Sequence, residues 1–219
     1  MHPFAIFTVG LGLLAMPFLS APTQPGQLGQ DPAKVNRYIG ANQCKNCHKG
    51  QDKGNAYDKW METPHAKAFE TLATDKAKEV AKKAGIEDPQ KSEKCLKCHV
   101  TAFGKDKKEL KATFKPEHGV QCETCHGPGE AHQKKRFAEA SKQGAEPSPI
   151  TPDEIHAGRS IELCQQCHNP ESPTHTPFCL KERMGKIEHF DPRKKRSEEE
   201  LKKLRETDAP DCEVCKTKK

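Results

Sequence analysis

Apolar residues are unevenly spread along this chain. Residues 1–19 are almost continuously apolar, and no Lys, Arg, Asp or Glu occurs before Asp31. The run is short for a bilayer span, which needs about 20 residues, and the small residues Ser20 and Ala21 follow it. Residues 1–21 therefore read as a secretory signal peptide, although its n-region offers only the α-amino group and His2, and an uncleaved anchor is the alternative. Residues 22–39 read as a flexible leader. Beyond it, one stretch keeps helical spacing: Phe69, Leu72, Ala73, Ala77, Val80, Ala81 and Ala84. Thr63 as N-cap and Pro64 at the first helical position would open that helix, and Gly85 would close it. Thr151-Pro152-Asp153-Glu154 has the form of a capping box with Pro at N1. Ser197-Glu198-Glu199-Glu200 has the same form and opens a short charged helix carrying Leu201 and Leu204. No alternating run is long enough for a strand, so the fold class is mainly α, with short helices, long loops and little or no sheet. No internal boundary divides residues 40–192, and 193–219 read as a charged C-terminal helix and tail.

That pattern is too thin to explain a folded protein. The chain is 33% hydrophobic, 5% aromatic and 31% charged, with a mean hydropathy of −0.92. Such a composition cannot bury enough apolar surface to offset chain entropy, and removing the apolar N-terminus makes the deficit worse. Something other than side chains must supply the core.

The cysteines say what. Cys-x-x-Cys-His occurs four times: Cys44, Cys47 and His48; Cys95, Cys98 and His99; Cys122, Cys125 and His126; Cys164, Cys167 and His168. Two thiols at this spacing lie on one side of a helical turn and can bond both vinyl groups of one porphyrin. The adjacent imidazole then reaches the iron as proximal ligand. A zinc ribbon needs two thiol pairs per metal and has no reason to place His after every pair. A disulfide within a pair would close a tight, strained ring. The expectation is four covalently bound c-type haems. The residues after position 30 amount to about 47 per motif, less than a minimal domain for each cofactor. The porphyrins must then form the core themselves, as a compact stack wrapped by helices and loops, and the haem-free mature chain is not expected to fold.

The formal charge of +6 describes the polypeptide alone. Two propionates against one net iron–porphyrin charge bring roughly −1 per ferric haem, so the loaded protein is nearer neutral. Lys-rich runs at 105–111 and 193–196 read first as solvated surface, and in functional terms as docking patches for an acidic redox partner. Few aromatic residues and export argue against nucleic-acid binding.

Four irons need sixth ligands or lack them by design. Besides the motif imidazoles, the mature chain holds His65, His118, His132, His156, His175 and His189, but only Met61 and Met184. Bis-His ligation is expected over His/Met, which implies lower potentials. His65 shares a helical face with Phe69 and Leu72 and is the strongest distal candidate. His132 is weaker by periodicity, because Lys135, Arg136 and Glu139 share its face. His189, within Ile187-Glu188-His189-Phe190, is expected in a semi-buried setting.

The chain resembles the tetrahaem cytochrome c-554 family of ammonia-oxidising bacteria. The residues that carry this are the first motif followed by Trp60, Thr63 and His65-Ala66-Lys67-Ala68; Cys98-His99-Val100 with Phe103-Gly104; Gly119-Val120 leading into the third motif and Gly127-Pro128-Gly129; and Thr176-Pro177-Phe178. The resemblance implies haems packed in close pairs, as in hydroxylamine oxidoreductase and pentahaem nitrite reductases. It also implies that His132 ligates haem 1, His65 haem 3 and His189 haem 4. Haem 2, attached here at Cys95 and Cys98, would lack a distal protein ligand, with Thr176-Pro177-Phe178 over its open face. Two features depart from the family. His175 precedes that segment and could cap haem 2, act as an acid beside a small ligand, or be a plain surface residue. Cys212-Glu213-Val214-Cys215-Lys216 has the form of the active-site haem motif of pentahaem nitrite reductases. Standing at the chain end without a downstream ligand, it reads instead as a degenerate tail or as part of a disulfide among Cys179, Cys212 and Cys215.

Two function classes follow. One is an exported electron relay in the periplasm, taking electrons from an oxidoreductase and passing them to a membrane or soluble cytochrome. The other is a reductase of nitric oxide, nitrite or hydroxylamine, with a small diatomic ligand binding at an open haem 2. The relay is preferred, because no cluster of Arg, Tyr and His stands beyond the ligands. Intact mass of the mature protein should show four covalent haems, unchanged by Cys215→Ser. A fifth haem lost on that substitution would overturn the tail reading.

Overall fold

The computed structural model describes residues 35–144, 148–156, 161–177, 179–190 and 195–208. The expected signal peptide, most of the leader, Phe178, Arg193, Lys194, Cys212, Cys215 and Lys216 lie outside the described residues. Those described belong to one compact unit beginning at Val35. They are helical: α1 (Ala41–His48), α2 (Ala56–Met61), α3 (Ala68–Thr71), α4 (Asp75–Lys83), α5 (Glu93–His99), α6 (Cys122–His126), α7 (Glu130–Ala140), α8 (Ile161–Gln165), α9 (Leu180–Ile187) and α10 (Glu198–Asp208). Among the described residues no strand forms, and an isolated bridge joins Tyr38 to Leu110. The mainly α expectation holds. No described helix is long and apolar enough to cross a membrane.

Local chemistry explains where the helices differ from the sequence pattern. The stripe from Phe69 to Ala84 forms two helices rather than one. Thr63 closes α2 instead of opening a helix, its Oγ1 donating to Trp60 O at 2.7 Å. Thr74 then interrupts the stripe: its Oγ1 donates to Thr71 O and accepts from Ala77 N, capping α4. Gly85 ends α4 as expected. Its φ of +67° lets Ile86 N reach back to Ala81 O at 2.8 Å. Ser197 and Glu200 exchange the expected reciprocal bonds at the start of α10. Thr151–Glu154 opens no helix, because the Glu154 side chain turns away from its own backbone and is buried against α7.

The interior is small and polar. Ile39, Leu72, Val100 and Phe114 are buried, yet the largest fully buried side chains are Gln121 and Thr101. Glu123, on α6, accepts from Ile39 N, Gly40 N and Gly129 N at 2.7–2.8 Å. Gln121 accepts from Ala41 N at 2.8 Å and donates to Lys115 O. Gly40 has no side chain to cap α1, so Gln121 takes the first N–H of α1, and Glu123 takes those of the two residues before it. Arg37 grips Glu130 with two bonds of 2.7 Å, fastening the start of the described chain to the first turn of α7.

Burial pushes the Glu123 carboxyl up, against the pull of three backbone N–H groups. Glu123→Gln replaces one acceptor oxygen with a donor facing a buried N–H. It should destabilise the loaded protein by about 2 kcal/mol, read as a lowered denaturation midpoint with covalent haem retained.

Candidate functional site

Each Cys-x-x-Cys-His motif sits on a single helical turn that ends at its imidazole. α1, α5 and α6 end at His48, His99 and His126, and His168 N reaches Cys164 O at 2.9 Å just past α8. The eight motif cysteines are free thiols. Among the described residues no group of three or more His, Cys, Asp or Glu could hold a bare metal ion. The zinc-ribbon alternative therefore lacks the geometry it requires.

Three motif imidazoles each face an imidazole from outside the motifs. His48 and His132 have ring centroids 6.1 Å apart, with planes 24° from parallel. His65 and His168 stand 6.0 Å apart, and His126 and His189 stand 5.9 Å apart. Two imidazoles on opposite sides of one metal, with metal–nitrogen bonds of about 2 Å, have ring centres roughly 6 Å apart. That span recurs three times, always between one motif His and one other His. With haems numbered in chain order, the exchange of partners differs from the resemblance: His65 faces the fourth motif and His189 the third. His132 faces the first, as the resemblance implies.

The neutral form is the ligating form. Burial, followed by His168, holds His65 below the ordinary histidine value. Burial, followed by Arg183 and His175, lowers His168. Burial also lowers His126, against a raising hydrogen bond to the His156 carbonyl. Several rings are oriented through Nδ1: His99 donates to Ala68 O at 2.6 Å, His126 to His156 O at 2.8 Å and His189 to Ile187 O at 3.0 Å. Each bond leaves Nε2 for the cofactor. Two glycines make room for this. At Gly119 (φ +69°) a Cβ would lie 2.8 Å from His65 O, and at Gly127 (φ +78°) 2.8 Å from the His156 ring.

His99 has no imidazole opposite it among the described residues. His175 is exposed, and its charge is felt at His168. Thr176 and Pro177 are exposed. His118 and His156 face no second imidazole among the described residues, and Met61 is 45% exposed. Cys179 is buried and disulfide-bonded.

The motifs meet one another through their thiols. Cys44 and Cys122 share a hydrogen bond that pushes Cys44 up and Cys122 down. Burial, followed by Cys98, pushes Cys167 up to about 12. Burial, followed by Cys164, pushes Cys125 up to about 11. The first motif thus touches the third, the third lies by the fourth, and the fourth touches the second.

Sequence reasoning missed Glu154. Its side chain is 3% exposed, and its Oε1 accepts from His132 Nδ1 at 2.7 Å. Its signal was present but misassigned: Lys135 and Arg136, which weakened His132 by periodicity, form with it one basic face in need of a buried counter-ion.

A family described as cytochrome c554 and c-prime matches residues 43–127. Cytochrome c-554 of Nitrosomonas europaea is 33% identical over 150 residues, covering 64% of this chain and 61% of that protein. The chain thus spans less than two thirds of that relative's length. No solved structure matches. Gly119→Ala tests the placement of His65. Its Cβ meets backbone at a φ that L residues avoid, so the variant should lose about 2 kcal/mol or more and weaken one low-spin haem signal.

Proposed function

We propose that this chain, similar to cytochrome c-554 over 64% of its length, is an exported tetrahaem electron relay working between periplasmic redox partners. The single observation that supports this best is the set of three imidazole pairs, each one metal-ligand span apart. Covalently bound haem c supplies one-electron redox chemistry. Residues 1–21 direct export, 22–39 form a leader, 40–192 hold the haems, and 193–219 form the charged helix and tail. His48 with His132, His126 with His189, and His168 with His65 would each ligate one haem iron, and His99 would ligate the fourth. Neighbouring motif thiols place the motifs in the order first, third, fourth, second, the order along which bound haems would pass an electron. The donor is a periplasmic oxidoreductase and the acceptor a membrane or soluble cytochrome.

A second reading rests on His99, which no imidazole faces among the described residues. An open haem there would bind a small ligand and could reduce nitric oxide, nitrite or hydroxylamine. The sequence offers no cluster of Arg, Tyr and His beyond the ligands, so the relay is preferred.

Spectroscopy tests both. The ferric protein should contain one high-spin haem among three low-spin ones, and carbon monoxide should bind the reduced protein at that haem alone. His65→Ala, His132→Ala and His189→Ala should each convert one further haem to high spin with covalent haem retained. Four low-spin haems unaffected by these substitutions, or by His175→Ala, would sink this assignment. Turnover of nitrite, nitric oxide or hydroxylamine at rates matching electron entry would replace the relay with the reductase.

A further inference from the structure

His99, His126 and His189 donate their Nδ1 protons to backbone carbonyls. His132 donates to a carboxylate, and that carboxylate is itself held on every side. Glu154 Oε1 lies 2.7 Å from His132 Nδ1 and also accepts from Arg136 Nε at 2.8 Å and Nη2 at 2.5 Å. Its Oε2 accepts from Arg136 Nη2 at 2.7 Å and from Lys135 Nζ at 2.8 Å. Arg136 is in turn fixed by Glu139 at 2.7 Å and by Ser148 O at 2.8 Å. The segment carrying Glu154 is pinned two residues later, where His156 N donates to His126 O at 2.8 Å and His156 O accepts from His126 Nδ1. One short segment therefore orients an imidazole of the first motif's pair and an imidazole of the third's.

The guanidinium of Arg136 and the ammonium of Lys135 both lie within 2.8 Å of the Glu154 carboxyl and hold it ionised. An ionised carboxylate only accepts, so Nδ1 of His132 must carry the proton and Nε2 the lone pair. A carboxylate on the far nitrogen makes an imidazole a stronger donor than a carbonyl does. A stronger donor favours the ferric over the ferrous state.

Resting on the reading that His132 faces the iron held by His48, we propose that Glu154 is the positioning residue of that pair. It fixes the His132 tautomer and lowers the potential of the first motif's haem below those of the other bis-His haems. The relay then has a built-in low-potential end at the first motif.

The test uses the fully loaded protein, with each haem's potential read by spectroelectrochemistry and its axial field by EPR. Glu154→Gln keeps an acceptor for Nδ1 but removes the charge. It should leave the low-spin count unchanged, shift one potential upward, and move the g values of that haem alone. Glu139→Gln removes a similar charge that touches Arg136 but not His132, and should leave all g values in place. Lys135→Met, at a side chain 38% exposed, frees Glu154 Oε2 and should shift the same potential downward with the opposite g change. It also keeps the question answerable if Glu154→Gln fails to fold. Unchanged g values in both Glu154→Gln and Lys135→Met would overturn the proposal, reducing Glu154 to a brace between α7 and its loop. His132→Ala separates the two readings. A low-spin count that it leaves unchanged overturns the ligand assignment itself, whereas a lost low-spin haem with inert Glu154 variants overturns only the role of Glu154.

Discussion

The two oxygens of Glu123 carry the N-terminal end of α1 and the turn that leads into α7. They accept from Ile39, Gly40 and Gly129, all deep in a chain with few apolar side chains to bury. Glu123 also lies between Cys122 and Cys125, so the group that ties the framework together is part of the third haem motif. The first motif follows on α1, and Cys44 is brought to Cys122 by the same contact. A buried carboxylate satisfied by backbone N–H groups here does what a cluster of leucines does in an ordinary domain, with direction as well as attraction.

The same economy runs through the site. Backbone carbonyls orient His99, His126 and His189, and a second buried carboxylate orients His132. The close approaches behind this need glycine. Gly119 admits the His65 carbonyl, which also accepts from Val120 N at 3.0 Å, and Gly127 admits His156. Lys59 donates to the Glu188 carbonyl, next to His189, and so links α2 to that imidazole's segment. These imidazoles are held by the elements that fold the chain, so substitutions in the framework would move them as well.

For electron transfer such rigidity is useful, because an oxidation change that moves few atoms meets little resistance from its surroundings. Paired imidazoles suit that purpose, and His99 of the second motif stands apart from them. The contrast between three paired rings and one unpaired ring among the described residues is what keeps small-ligand chemistry in view beside the relay.

The haem chemistry of this chain was written in its sequence, because attachment is local: two thiols and an imidazole within five residues define it wherever the rest of the chain goes. The stop at Gly85 and the capping box at Ser197 and Glu200 were legible for the same reason, each being settled by atoms a few bonds apart. His65, His132 and His189 could be picked out as candidates, but not matched to partners by spacing. His65 meets His168 and His126 meets His189 across long stretches of chain, and resemblance assigned those two the other way round. Glu154 shows the limit most clearly. Beside Thr151 it has the form of a helix cap, yet two cations and an imidazole on α7 bind its carboxylate more strongly than its own backbone can. Only the tertiary structure decides that competition, because it alone brings Lys135, Arg136 and His132 within reach.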